Sequence, residues 1–199
     1  MRDLPTQHHP ASNISALILA GGAGRRMGGE DKGLLLWQGK RLIDHVIDRI
    51  APQVCDLMIS CNRNRQIYRA LAPLTPADLR PGFQGPLAGL EAARTVLSGK
   101  YVLLVPCDTP QLPTDLAVRL HSILHTNLHA QVSYAHTGNA GQYLCALLRV
   151  SALHSLSPFL DSGERAVRKW YGQIGAIEVD FAADQAAFLN LNEISALTT

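Results

Sequence analysis

No two of the four cysteines, Cys55, Cys61, Cys107 and Cys145, are spaced as CxxC. That excludes a zinc ribbon or a redox dithiol of that type. Four cysteines in 199 residues are also too few for a disulfide scaffold, so a reducing cytoplasm is the expected compartment. No apolar run reaches the ~18 residues of a membrane span. The polar start, MRDLPTQHHPASN, lacks the apolar stretch of a signal peptide and reads as a disordered lead-in over residues 1–13. Charge of one sign is scarce. A net charge of +2 suits a small anionic ligand but gives nucleic acid no basic footprint. GxSxG is missing too, and with it the nucleophile elbow. What is present is a 47% apolar chain. At this length it buries roughly 70% of its unfolded surface, which suits one domain over residues 14–199.

Hydrophobic patterning predicts the elements. ISALILA, Ile14–Ala20, is a short apolar run stopped by Gly21-Gly22 and reads as a buried strand. Strands are also expected at 54–60, 100–105, 130–135, 143–150 and 175–181. Leu42, Ile43, Val46, Ile47 and Ile50 share one helical face. Further helices are expected at 62–71 with Asn62 as N-cap, and at 87–97, 113–129, 151–160 and 163–172. Strands alternating with helices predict an α/β fold: a mostly parallel sheet between two helical layers, with an antiparallel insertion near 130–150. Ligands of such sheets bind beyond the carboxyl ends of the strands. That singles out the residues after Ala20, Ile59 and Val105.

The first of these stretches is Leu19-Ala20-Gly21-Gly22-Ala23-Gly24-Arg25-Arg26-Met27-Gly28, followed by Asp31-Lys32-Gly33. Glycines let the backbone approach phosphates, and Arg25, Arg26 and Lys32 add cationic donors. Two familiar glycine loops fail here. A Rossmann fingerprint from Gly22 needs Gly or Ala where Met27 stands, and a Walker A loop from Gly24 needs Lys where Glu30 stands. An anion site is the better reading than a surface turn. In PCDTP, Asp108 follows the central strand. A lone carboxylate there suffices for Mg²⁺ shared with substrate phosphates, and its place beyond the strand favours this over an Asp that merely caps the turn.

Asp78 and Gly85 lie in a Pro/Gly loop leading into GPLAG. Asp78 is either a hydrogen-bond acceptor for a base or ribose, or simply solvated. Asn190 and Asn192, in FLNLN, share a face if that stretch is a strand, but an ordinary turn is favoured. His121, His125 and His129 line the flank of a helix beside the stripe Leu116, Leu120, Leu124 and Leu128. A polar flank is favoured over a metal site. Cys107 reads as a buried small residue.

The series LAGGxxxRMG, DKGLL, GPLAG, PCDTP and NLN resembles the molybdenum cofactor guanylyltransferases, the bacterial MobA family, in order from Ile14 to about Leu197. The resemblance implies a Rossmann-like nucleotidyltransferase fold. It implies GTP and molybdenum-loaded molybdopterin as substrates, and Mg²⁺ as cofactor. GMP would join the terminal phosphate of the pterin and pyrophosphate would leave. Leu19, Ala20, Gly21 and Gly22 would bind the nucleotide, Lys32 its phosphates, Asp78 with Gly85 the guanosine side, and Asp108 the metal. Arg26, Asn190 and Asn192 would act near the pterin or the reacting phosphates. Ser60 stands where the family often has a nucleotide-contacting Asn, and its hydroxyl has the shorter reach. Docking with cofactor-delivery proteins is a further expectation. A cytidylyltransferase, a passive nucleotide-binding module and a Rossmann oxidoreductase are the competing readings.

Overall fold

A computed structural model describes residues 10–20, 30–82 and 84–190. Pro10–Asn13 forms a 3-10 turn. Residues 10–13 are therefore not part of the disordered lead-in expected for 1–13, and residues 1–9 lie outside the described residues. The strands are β1 (Ile14–Leu19), β2 (Leu36–Trp37), β3 (Lys40–Arg41), β4 (Asp56–Ser60), β5 (Tyr101–Pro106), β6 (Val132–His136), β7 (Gly141–Arg149) and β8 (Ala176–Asp180). The helices are α1 (Leu42–Ile50), α2 (Arg65–Arg69), α3 (Pro86–Ala93), α4 (Leu116–Thr126), α5 (Leu156–Asp161) and α6 (Val167–Ile174).

Six strands form one sheet in the order β4-β1-β5-β7-β6-β8. β1 runs parallel to β4 and β5. β7 is antiparallel to β5 and β6, which is the antiparallel insertion, and β8 lies parallel to β6. Alternation along the strands feeds two cores. Ile14, Ala16 and Ile18 of β1, with Leu103 and Val105 of β5, pack with α1 and α4. Leu17, Val102 and Leu104 point the other way, toward α3, α5 and α6. Each such fully buried large side chain contributes about 1.5–3 kcal/mol. The result is the three-layer arrangement that the alternating pattern predicts.

Local expectations fail in three places. α2 spans Arg65–Arg69 only, and its N-cap position is Asn64, not Asn62. α4 ends at Thr126, so Leu128 falls beyond it and is 77% exposed rather than in the apolar stripe. The small β2–β3 pairing has no counterpart in the sequence reading. Its turn residues, Gln38 and Gly39, both take positive φ, as a tight hairpin requires. Elsewhere the favoured reading holds: residues 182–188 form a 3-10 helix, so the segment leading into Asn190 is not a strand.

β4 lies at one edge of the sheet, and the loop after α2 covers it. Ile59 N–H donates to the Leu74 carbonyl at 3.1 Å, and Cys61 N–H to that of Pro76 at 3.2 Å.

Candidate functional site

Because β1, β4 and β5 are parallel, their carboxyl ends meet along one edge. Two backbone bonds extend the ladder past the strands. Ala20 N–H donates to the Ser60 carbonyl at 2.9 Å, and Cys107 N–H to the Leu19 carbonyl at 3.1 Å. The next residue after Cys107 is Asp108, so its position is set by the sheet itself. Lys32, at the start of a 3-10 turn over Lys32–Leu34, reaches across and donates from Nζ to Asp108 Oδ2 at 3.1 Å. The pair is partly open, with side chains 34% and 19% exposed. A pair this accessible adds about 1 kcal/mol or less to stability. Its consequence is placement: a cation and a carboxylate, 76 residues apart in sequence, face each other beyond β5.

The neighbouring thiols take no part in nucleophilic chemistry. Cys107 and Cys145 are buried, and burial, followed by the Asp108 charge, pushes both above the ordinary thiol range. Neither supplies a thiolate at neutral pH.

Asp78 is held from β4's side. Asn62 Nδ2 donates to Asp78 Oδ2 at 2.9 Å, and Asp78 N–H donates to Asn62 Oδ1 at 3.0 Å. Burial raises the Asp78 carboxyl above its usual range; the Asn62 bond opposes this and the Glu91 charge adds to it. Further along the same loop, Arg80 forks onto Glu91 of α3, with contacts of 2.7 and 2.8 Å, and reaches Asp161 of α5 at 2.7 Å. Arg165 Nε donates to Gln84 Oε1 at 2.7 Å. Gly85 directly precedes α3.

Ser60 is buried, and it lies so close to α3 that a Cβ added at Gly89 would collide with its hydroxyl. Its carbonyl, bonded to Ala20, is the group that ties β4 to β1's end. Asn190 follows Phe188, which is buried and packs edge-on against Phe181 at 5.2 Å. Gly21, Gly22, Arg25, Arg26 and Asn192 lie outside the described residues.

The histidines make no metal centre. Among the described residues no group of three His, Cys, Asp or Glu side chains could hold an ion. His121 instead contacts Tyr101 and stacks on His125, at 4.9 and 5.4 Å between ring centres. Burial, then His125, lowers His121 below the ordinary imidazole range.

Residues 16–177 match the family model described as a MobA-like NTP transferase domain. The chain belongs to that family. Relatives named molybdenum cofactor guanylyltransferase include one from Shewanella baltica (strain OS185), 42% identical over 182 residues, with 92% of each chain covered. Another, from Pasteurella multocida (strain Pm70), is 41% identical over 187 residues, covering 94% of this chain and 98% of the relative. Among solved structures, molybdopterin-guanine dinucleotide biosynthesis protein A from Archaeoglobus fulgidus superposes with a TM-score of 0.73 at 21% identity, covering 92% and 95% of the two chains. A 2-C-methyl-D-erythritol 4-phosphate cytidylyltransferase from Francisella tularensis gives 0.68 at 15% identity, covering 94% and 97%. At these identities the two structures speak for the shared fold. In this MobA-like NTP transferase, sequence reasoning placed Lys32 and Asp108 correctly in loops beyond the strands. It took Asn62 for an N-cap, where its amide instead grips Asp78, and gave no place to Asn64 and Tyr68, which both bond Asp31. The local signal of the two asparagines is an amide- and arginine-rich run, NRNR, shortly after a buried strand.

Proposed function

We propose that the protein transfers GMP from GTP to the terminal phosphate of molybdenum-loaded molybdopterin in the cytoplasm. The products are the guanine dinucleotide form of the cofactor and pyrophosphate. The observation that carries this reading is the Lys32–Asp108 pair beyond β5, with the Asn62-held Asp78 loop beside β4 on the far side of β1. The extent of likeness to relatives bearing that activity's name supports it. No helix among the described residues is long and apolar enough to cross a membrane. Docking with delivery proteins belongs to the same proposal, and nucleic acid does not.

A phosphate monoester has its second pKa near ~6, so the attacking oxygen is already anionic at neutral pH. It forms a bond to the α-phosphorus of GTP, the bond to the β-phosphate oxygen breaks, and pyrophosphate takes the electron pair. No strong protein base is required. The chain's task is to position the phosphates and balance their charge. Lys32 supplies a cation to phosphate oxygens. Asp78 accepts from the guanosine half; guanine's N1–H and 2-amino group are adjacent donors that one carboxylate can meet. Arg26, Asn190 and Asn192 are assigned to the pterin side or the reacting phosphates, and Leu19, Ala20, Gly21, Gly22, Ser60 and Gly85 to the nucleotide.

Mg²⁺ is the proposed cofactor. The donor fits it in kind: Asp108 is a hard carboxylate at the edge of the sheet, bonded to Lys32, and a lone carboxylate suffices for an ion shared with substrate phosphates. Asp108 would hold the ion, which when bound would offset phosphate charge.

The test is pyrophosphate release with GTP, Mg²⁺ and molybdenum-loaded molybdopterin, run beside CTP and ATP. A preference for GTP of at least about 10²-fold in kcat/KM is expected from a site built for hydrogen bonds. Equal turnover with CTP replaces this reading with a cytidylyltransferase. GTP binding without pyrophosphate release replaces it with a passive nucleotide module.

A further inference from the structure

Between β4 and the Asp78 loop runs Asn62-Arg63-Asn64-Arg65-Gln66-Ile67-Tyr68. One end of this run touches Asp78, and the other end touches the residues beside Lys32. At the first end the Asn62 amide uses both its donor and its acceptor on Asp78, one on the carboxylate and one on the backbone N–H. A two-point contact fixes the rotation of Asp78 as well as its position. At the other end, Asp31 accepts from the Tyr68 hydroxyl at 2.6 Å and from Asn64 Nδ2 at 2.9 Å. Arg63 Nη2 donates to the Glu30 carbonyl at 3.1 Å.

Two features make the second end exacting. Asn64 adopts the left-handed conformation (φ 49°, ψ 32°), which Asn tolerates better than most residues, and this aims its amide back at Asp31. Tyr68 is fully buried, so its hydroxyl is placed by the core and not by the loop. A Cβ at Gly33 would stand 2.6 Å from that hydroxyl, so the chain at 31–33 closes tightly on it. Burial, followed by the Asp31 bond, raises the Tyr68 phenol, which keeps it a proton donor.

We infer that Asn62–Tyr68 is a positioning element with two separate outputs: Asn62 sets the nucleoside-reading carboxylate of Asp78, while Asn64 and Tyr68 set Asp31 and through it Lys32. The inference rests on the reading above, in which Asp78 faces guanosine and Lys32 faces the phosphates. These residues act through Asp78 and Lys32. The single segment holds the spacing between base side and phosphate side, because both are referenced to the end of one buried strand.

The experiment compares Asn62→Ala and Tyr68→Phe in the full chain by two ratios. The base ratio is kcat/KM for GTP over inosine triphosphate, which lacks only the 2-amino group. The phosphate ratio is the affinity for GTP over guanosine. Asn62→Ala should shrink the base ratio, by at most roughly 150-fold, the upper worth of one hydrogen bond to a carboxylate, and leave the phosphate ratio unchanged. Tyr68→Phe should do the reverse by a similar factor. A role in folding alone would move neither ratio, or both together, and either result overturns the inference. So does a shift confined to one variant. If a variant does not fold, as judged by circular dichroism, Asn62→Ser and Asn64→Ala repeat the two arms. A wild-type protein with no preference for GTP over inosine triphosphate, ATP or CTP would instead remove the reading of Asp78 on which the inference stands.

Discussion

The parallel strands β4, β1 and β5 and the antiparallel strands β7 and β6 belong to one sheet but use their residues differently. In the parallel half, polar groups gather at and just past the strands' carboxyl ends: Ser60 closes β4 and Asn62 follows it, Asp108 lies past β5, and Lys32 is on the chain between β1 and β2. In the antiparallel half, polar atoms are turned inward onto structural partners. Tyr134, Tyr143 and Tyr171 cluster at 4.9 to 6.3 Å between ring centres. The Tyr134 hydroxyl donates to Glu178 at 2.6 Å, and that of Tyr171 to the Tyr143 carbonyl at 3.0 Å. Trp170 is fully buried and donates to Ser155 Oγ at 3.1 Å. Strand direction explains the difference. Parallel strands send their ends to one edge and leave long returns free to carry chemistry. An antiparallel pair turns back within a few residues.

If the halves divide support from chemistry, damage to them should separate cleanly. Trp170→Ala should cost about 3–5 kcal/mol in chemical denaturation, yet leave GTP affinity unchanged where the protein is folded. A matching loss of affinity would join the two halves. Asp108→Ala should lower turnover by about 10²-fold or more with an intact circular dichroism spectrum; near-normal turnover would remove the metal assignment. Lys32→Ala should weaken GTP binding by roughly 10- to 150-fold and guanosine binding far less. Equal losses for both ligands would move Lys32 to the base.

The smallest effect concerns Asp78. Its carboxyl is raised by burial, so the folded state holds that proton more tightly than the unfolded chain. Ionisation therefore costs stability above the unfolded pKa, and the cost fades as pH falls below it. Asp78→Asn should raise Tm slightly at pH 7, by an amount that shrinks toward pH 4, while base preference falls. A lower Tm at pH 7 would mean that the charge is favourable where it stands.

How much of this was legible follows from the range of each interaction. β1 and β5 are apolar runs bounded by Gly or Pro, so their strands, and the loops carrying Lys32 and Asp108, could be read locally. The Lys32–Asp108 contact joins residues 76 apart, and only the sheet order brings them together. Asn62 was misread because an Asn ahead of a helical period looks like an N-cap, and its true partner, Asp78, returns 16 residues later. The two-residue strands β2 and β3 hold no period to detect.

The cover over β4 has a consequence for handling the protein. A bare edge strand offers unpaired N–H and C=O groups to a second chain and seeds aggregation. Here that edge is occupied by Leu74 and Pro76, a few residues before Asp78, in the same loop. The loop proposed to meet the nucleoside is thus also the guard against self-association. Variants that loosen it to accept other bases should precipitate before they misread, and GTP in the storage buffer should keep the protein in solution longer.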